Sequence, residues 1–180
     1  VSHRDALPKL DVATCRFLAA ELKARIGEQG YELWPLGASG AWVVQSLMPF
    51  LIKWRSPERV IKVQVDKHTM RLATPSSLLS APCQRRRVIV DTVIESGDTL
   101  MSTLLGSVEK HRELNLDNPP MAVVITDFVG VADIAVHSHY RQAMSKLDYL
   151  YSQGSKRFEQ LDAAQRALLS RVVRSGPDAA

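Results

Sequence analysis

Arg87-Val88-Ile89-Val90-Asp91-Thr92-Val93-Ile94-Glu95-Ser96-Gly97-Asp98-Thr99 runs directly into Leu100-Met101-Ser102-Thr103-Leu104-Leu105. The first part predicts a buried strand over 87–90 that ends in an acid, Asp91. A short turn with a second acid, Glu95, then opens a helix from Gly97 to about His111. The first N–H groups of a helix have no partner inside it. A Gly that lets the backbone come close, with Ser96 and Thr99 hydroxyls beside it, turns such an opening into a phosphate cradle. Asp91 stands where it can accept from sugar hydroxyls or hold a metal-bound water. The ligand expected from these residues is a phosphorylated sugar.

Outward from this segment the chain alternates. Asp11 is placed to cap a helix whose stripe is Cys15, Leu18, Ala19, Leu22 and Ile26, closed by Gly27 or Gly30. Tyr31 to Leu36 reads as a strand, and Gly37-Ala38-Ser39-Gly40 as a turn into a helix from Ala41 that Pro49 kinks or ends. Arg59 to Val65 reads as a second strand. The stretch 66–84 has no period and carries Thr74-Pro75 and Ala81-Pro82, so it is expected to be a lid loop. Asn118-Pro119-Pro120 precedes another buried strand, Ala122 to Thr126. Segment 129–143 has no clear reading, 147–151 suits a short strand, and Ser155 can cap a last helix with Phe158, Leu161, Leu168 and Val172 on one side. This order predicts an α/β fold, a mostly parallel sheet with helices on both faces.

Length suits one domain, 1–180, with residues 175–180 as a frayed tail. A hydrophobic content of 46% against 23% charged residues excludes disorder as the main state. The most apolar stretch, Ala41 to Trp54, is interrupted by Gln45, Ser46, Pro49 and Lys53, so no membrane span is expected. Cys15 and Cys83 form no disulfide framework and no signal segment opens the chain, which together predict a cytoplasmic protein. The formal charge of +4 suits an anionic ligand. Arg85-Arg86-Arg87 lacks interleaved aromatics, so it reads as a solvated loop in preference to a nucleic-acid patch. His137-x-His139 has no third ligand in pattern and reads as structural or exposed.

The central segment resembles the 5-phosphoribosyl-1-pyrophosphate (PRPP) loop of type I phosphoribosyltransferases: an aliphatic strand, two acids, two aliphatics, then a loop ending in Thr-Gly-x-Thr. Asp91, Val93, Ile94, Ser96, Gly97 and Thr99 fit that pattern. Thr92 departs from it, since most members carry a second acid there, and Asp98 places a carboxylate in a phosphate cradle. The resemblance implies a type I phosphoribosyltransferase-like fold with a small divergent hood. It also implies PRPP-dependent transfer to a nitrogen acceptor with Mg2+ as cofactor, bound through PRPP and through water to Asp91.

On this resemblance the PRPP-binding residues are Asp91, Thr92, Glu95, Ser96, Gly97, Asp98 and Thr99. Gly37, Ala38, Ser39 and Gly40, with Lys67 and Arg71 from the lid, would hold pyrophosphate. Lys67 and Glu95 would be catalytic. Lys67 would neutralise the leaving group, with His68 beside it, and Glu95 would take the proton of the attacking nitrogen, which points to a purine-like base. Asp127 and Phe128, closing the fourth strand, would meet that base by hydrogen bonding and stacking. The partners expected are PRPP and a small-molecule acceptor, with a homodimer compatible with the terminal amphipathic helices. A non-catalytic PRPP or nucleotide sensor, or an RNA-binding regulator on the same fold, is the alternative.

Overall fold

The computed structural model describes residues 10–66, 68–69, 71–75, 85–95, 99–100, 102–104, 120–128, 130–138 and 161–167. Five strands, β1 Tyr31–Pro35, β2 Arg59–Val60, β3 Arg86–Ile94, β4 Met121–Asp127 and β5 Ile134–Ser138, form one sheet in the order β2-β1-β3-β4-β5. Every pairing is parallel. Two helices, α1 Val12–Ile26 and α2 Gly37–Ile52, complete the defined elements.

A parallel sheet is covered on both faces, so its central strands are apolar on both. On one face Tyr31, Leu33, Val88, Val90, Met121 and Val123 pack under α1 and α2 with Leu18, Leu22, Val43 and Leu47. On the other, Trp34, Ile89, Ala122 and Val124 meet Leu100, Leu104 and Leu161, from segments helical at 99–100 and 102–104 and just before 163–167. The layered α/β arrangement expected from the sequence is present. In α1 the Asp11 carboxylate accepts from the Thr14 N–H at 2.8 Å, and Gly27 closes the helix at φ 63°.

Several expectations change. Gly37 to Gly40 is the first turn of α2 rather than a loop before it. Pro49 lies inside α2, which continues to Ile52. The amide it lacks would have met the carbonyl of exposed Gln45, where water can substitute. Strand β3 runs on past Asp91 to Ile94, because β4 keeps pairing with it. Strand β5 falls in the stretch that had no clear reading, and the expected strand over 147–151 lies outside the described residues. The segment expected to be a lid begins as a ribbon: Val65 bridges antiparallel to Leu72, and the Asp66 carboxylate accepts from the amides of His68 and Thr69. Those bonds hold the Asp66 carboxyl below the usual range.

The arginine triplet is not a solvated loop. Glu32 of β1, fully buried, accepts from Arg59 Nε at 2.9 Å, Arg85 Nη1 at 3.0 Å and the Trp34 indole at 2.8 Å. Arg85 also pairs with Glu58. Arg87, opposite Glu32 in the β1–β3 register, is 2% exposed with its guanidinium 5.8 Å from the Trp34 ring centre. Burial lowers its pKa to about 10. The partner acids lie far away in sequence, so a local reading could not find them.

Gly40 is where α2 touches the sheet. A Cβ there would overlap the Val90 carbonyl oxygen and lie 3.0 Å from the Pro35 carbonyl carbon, both backbone atoms that cannot rotate away. Gly40→Ala should therefore destabilise the protein by roughly 1–3 kcal/mol despite its better helix propensity. Chemical denaturation should show a lower midpoint at unchanged slope, and a midpoint equal to wild type would contradict this packing.

Candidate functional site at the β1–β3 crevice

Strands β1 and β3 stay paired only as far as Pro35 and Val90. Leu36 then donates to the Val90 carbonyl at 2.9 Å, and Gly37, at φ 59°, turns the chain into α2. Beyond that point β3 continues with β4 alone, Asp91 opposite Val124 and Ile94 opposite Asp127. The chain leaving β1 goes toward β2, and the chain leaving β3 goes toward β4. Such a divergence at the carboxyl ends of a parallel sheet opens a crevice where ligands bind.

A cleft of about 290 Å3 occupies this crevice, lined by Leu36, Ile89, Asp91, Val93, Ile94, Glu95, Thr99, Leu100, Ala122 and Val124. Asp91, Glu95 and Thr99 are thus brought together in the lining of one cleft. The aliphatic lining was not singled out in the sequence, although strand alternation from Ile89 through Asp91 to Val93 puts all three on one face.

Asp91 is half-buried, and its Oδ1 accepts from the Ser39 hydroxyl at 2.7 Å and from the Thr92 N–H at 2.8 Å. Burial raises its pKa, while those two hydrogen bonds and one from the Thr92 side chain pull it back down. Glu95 and Thr99 are exposed. Ser96, Gly97 and Asp98 lie outside the described residues, as does Lys67.

The Gly37–Gly40 segment enters the site differently from the way it was read. The Gly37 N–H donates to the Val63 carbonyl at 2.9 Å, and that of Gly40 to the Leu36 carbonyl at 3.0 Å. Neither amide is open to an anion, so the glycines serve the turn and the helix–sheet contact. The exposed Ala38 and Ser39, at the helix opening, remain for a ligand. Arg71 and His68 are exposed on the ribbon at the start of the lid. His137 is exposed in β5, and among the described residues no cluster of three metal-ligating side chains exists.

Asp127 is a further correction. Only 1% exposed, its carboxylate accepts from the amides of Gly130 and Ala132, both at 2.8 Å. Asp133 in turn accepts from the Ala122 N–H at 2.7 Å. Parallel neighbours usually need a crossover of a dozen or more residues. Here segment 128–133 suffices, and the two aspartates hold it, so Asp127 does not present its edge to a base. Phe128 is 44% exposed, and its N–H donates to the Ile94 carbonyl at 3.0 Å, which places it next to the cleft's rim.

No family model matches the chain, and no curated protein matches its sequence. Among solved structures it is similar to a Helicobacter pylori xanthine-guanine-hypoxanthine phosphoribosyltransferase, with a TM-score of 0.52 and 12% identity over 70% of this chain and 79% of that one. It is also similar to a mutant hypoxanthine phosphoribosyltransferase from Trypanosoma cruzi in complex with the product IMP, with a TM-score of 0.50 and 14% identity over 70% of each chain. At these identities the likeness concerns the fold, and the fold is that of the type I phosphoribosyltransferases.

The two residues that close β4 should separate cleanly by mutation. Asp127→Ala strands one buried and one part-buried amide and should cost roughly 2–4 kcal/mol. Phe128→Ala, at an exposed position, should stay within about 0.5 kcal/mol of wild type. Thermal unfolding of both variants checks this, and an Asp127→Ala protein as stable as wild type would return Asp127 to the list of ligand contacts.

Proposed function

We propose that this protein is a magnesium-dependent phosphoribosyltransferase that moves the phosphoribosyl group of PRPP to a nitrogen of a purine-like base and releases pyrophosphate. What supports this most is the presence of Asp91, Glu95 and Thr99 together in the lining of a crevice at the sheet's switch point. The resemblance of 87–99 to a PRPP loop and the fold likeness agree with it.

In this reading Asp91 accepts from ribose hydroxyls, and the 96–99 segment gives its amides and hydroxyls to the 5-phosphate. Ala38 and Ser39 amides, with Lys67 and Arg71 from the lid, face the pyrophosphate, whose charge grows as its bond to the anomeric carbon breaks. The acceptor nitrogen forms the new bond to that carbon and loses its proton to Glu95. Phe128 stacks on the base. Lid closure keeps water from the oxocarbenium-like centre. Carboxylate oxygens are hard donors that suit Mg2+, and the cleft carries two carboxylates. When bound, the ion offsets charge on the pyrophosphate and ribose oxygens.

Thr92, in place of an acid, favours a second reading, a PRPP or nucleotide sensor without turnover. The arginine triplet lends no support to an RNA-binding role, because Arg85 and Arg87 are engaged within the sheet.

Pyrophosphate release from PRPP with Mg2+ and a panel of purine bases separates these readings. Turnover with at least one base is expected. Glu95→Gln should lower it by roughly 10²- to 10⁴-fold, the usual range for a general base, with little change in PRPP affinity. Lys67→Ala should lower turnover more than affinity, since the charge it meets develops in the transition state. PRPP binding without release with any base would establish the sensor, and no PRPP binding would overturn both.

A further inference from the structure

We infer that the hydroxyl of Ser39 serves to position the ribose-binding carboxylate rather than to bind pyrophosphate, and that it fixes the plane of Asp91 for the sugar. This rests on the PRPP reading above.

An ionised carboxylate only accepts, so in the 2.7 Å contact the Ser39 hydroxyl is the donor. Its one hydrogen is thereby committed to Asp91 and is not offered to an anion. The second donor, the Thr92 N–H, converges on the same Oδ1 at 2.8 Å. Asp91 lines the cleft and is half-buried. The terminal torsion of an aspartate is soft and roughly two-fold, so without an anchor the oxygens exchange places. Two donors on Oδ1 fix the plane of the group and with it the direction from which a ligand hydroxyl meets the carboxylate.

The anchor depends on the fold. Beyond Val90 the β1 side of β3 is vacant, because the chain has turned into α2. The first turn of α2 fills that place and brings Ser39 to a residue 52 positions away in sequence. Among the described residues, the surroundings of Asp91 are otherwise uncharged. Pro35 and Leu36 at the end of β1, Ala122 and Val124 of β4, Leu100 and the acid-free first turn of α2 carry no charge, and Glu95 is the other titratable side chain on the cleft wall.

Ser39→Ala, Ser39→Thr and Asp91→Asn test this, each checked for a native circular dichroism spectrum. The first measurement needs no ligand: the Asp91 side-chain carbon is titrated by NMR in wild type and Ser39→Ala. Losing a donor to the ionised form should raise the Asp91 pKa further. The second is affinity for PRPP and, separately, for pyrophosphate, each with Mg2+ and across acidic pH. Ser39→Ala should weaken PRPP binding by roughly 5- to 30-fold, the effect of one charge-assisted hydrogen bond, and move its acid-side loss to higher pH. Pyrophosphate affinity should stay at the wild-type value. Ser39→Thr should restore PRPP binding, and Asp91→Asn should remove the acid-side loss.

If Ser39→Ala weakens pyrophosphate as much as PRPP, or leaves both the Asp91 titration and PRPP affinity unaltered, the inference fails while the PRPP reading stands. A wild-type protein that binds no PRPP overturns the two together.

Discussion

The early departure of β1 from the sheet governs the rest of this structure. A parallel strand pair is held by evenly spaced hydrogen bonds, and here they stop at Pro35 and Val90. Close packing of α2 enforces the stop, since Gly40 sits against the Val90 carbonyl with no room for a side chain. Because β4 continues to pair with β3, the four residues after Val90 remain strand on one side and lose their neighbour on the other. The crevice, its two carboxylates and the Ser39–Asp91 contact all follow from that asymmetry.

The opposite end of β1 is built on a different balance. Glu32 would be a severe cost in a buried strand if it stood alone. Arg59 and Arg85 reach it from the β2 and β3 sides of the sheet, and the Trp34 indole satisfies it from the same strand. This network ties the three strands at the end remote from the crevice. The sheet is thereby fixed in register where ligands do not bind, and the binding edge can remain open.

Much of this organisation was readable from local pattern. The α1 stripe and the aliphatic β1, β3 and β4 each carry their signal within a dozen residues, and each element is found where expected, with β3 running four residues farther. What escaped reading depends on partners distant in sequence. The extension of β3 to Ile94 depends on β4. The burial of Arg87 depends on Glu32 and Trp34, and the role of Ser39 depends on Asp91 across 52 positions. Strand β5 was missed because its crossover is too short for the usual strand–helix–strand rhythm, and the aspartates that make it possible read as a ligand contact in one case and as nothing in the other. Strand end and loop apex are alike in sequence, so both Asp127 and Glu95 read as groups facing the acceptor base. One is sealed under two amides and the other is exposed.

Methyl NMR during titration with PRPP and Mg2+ tests the central claim most directly, because the cleft is lined by aliphatic side chains on a single face of the sheet. Binding in the crevice should shift Leu36, Ile89, Val93, Ile94, Leu100 and Val124, while Leu18, Val43 and Leu47 under the two helices of the opposite face stay in place. Saturable shifts confined to the opposite face, or no shifts at high ligand concentration, would contradict a PRPP site between β1 and β3.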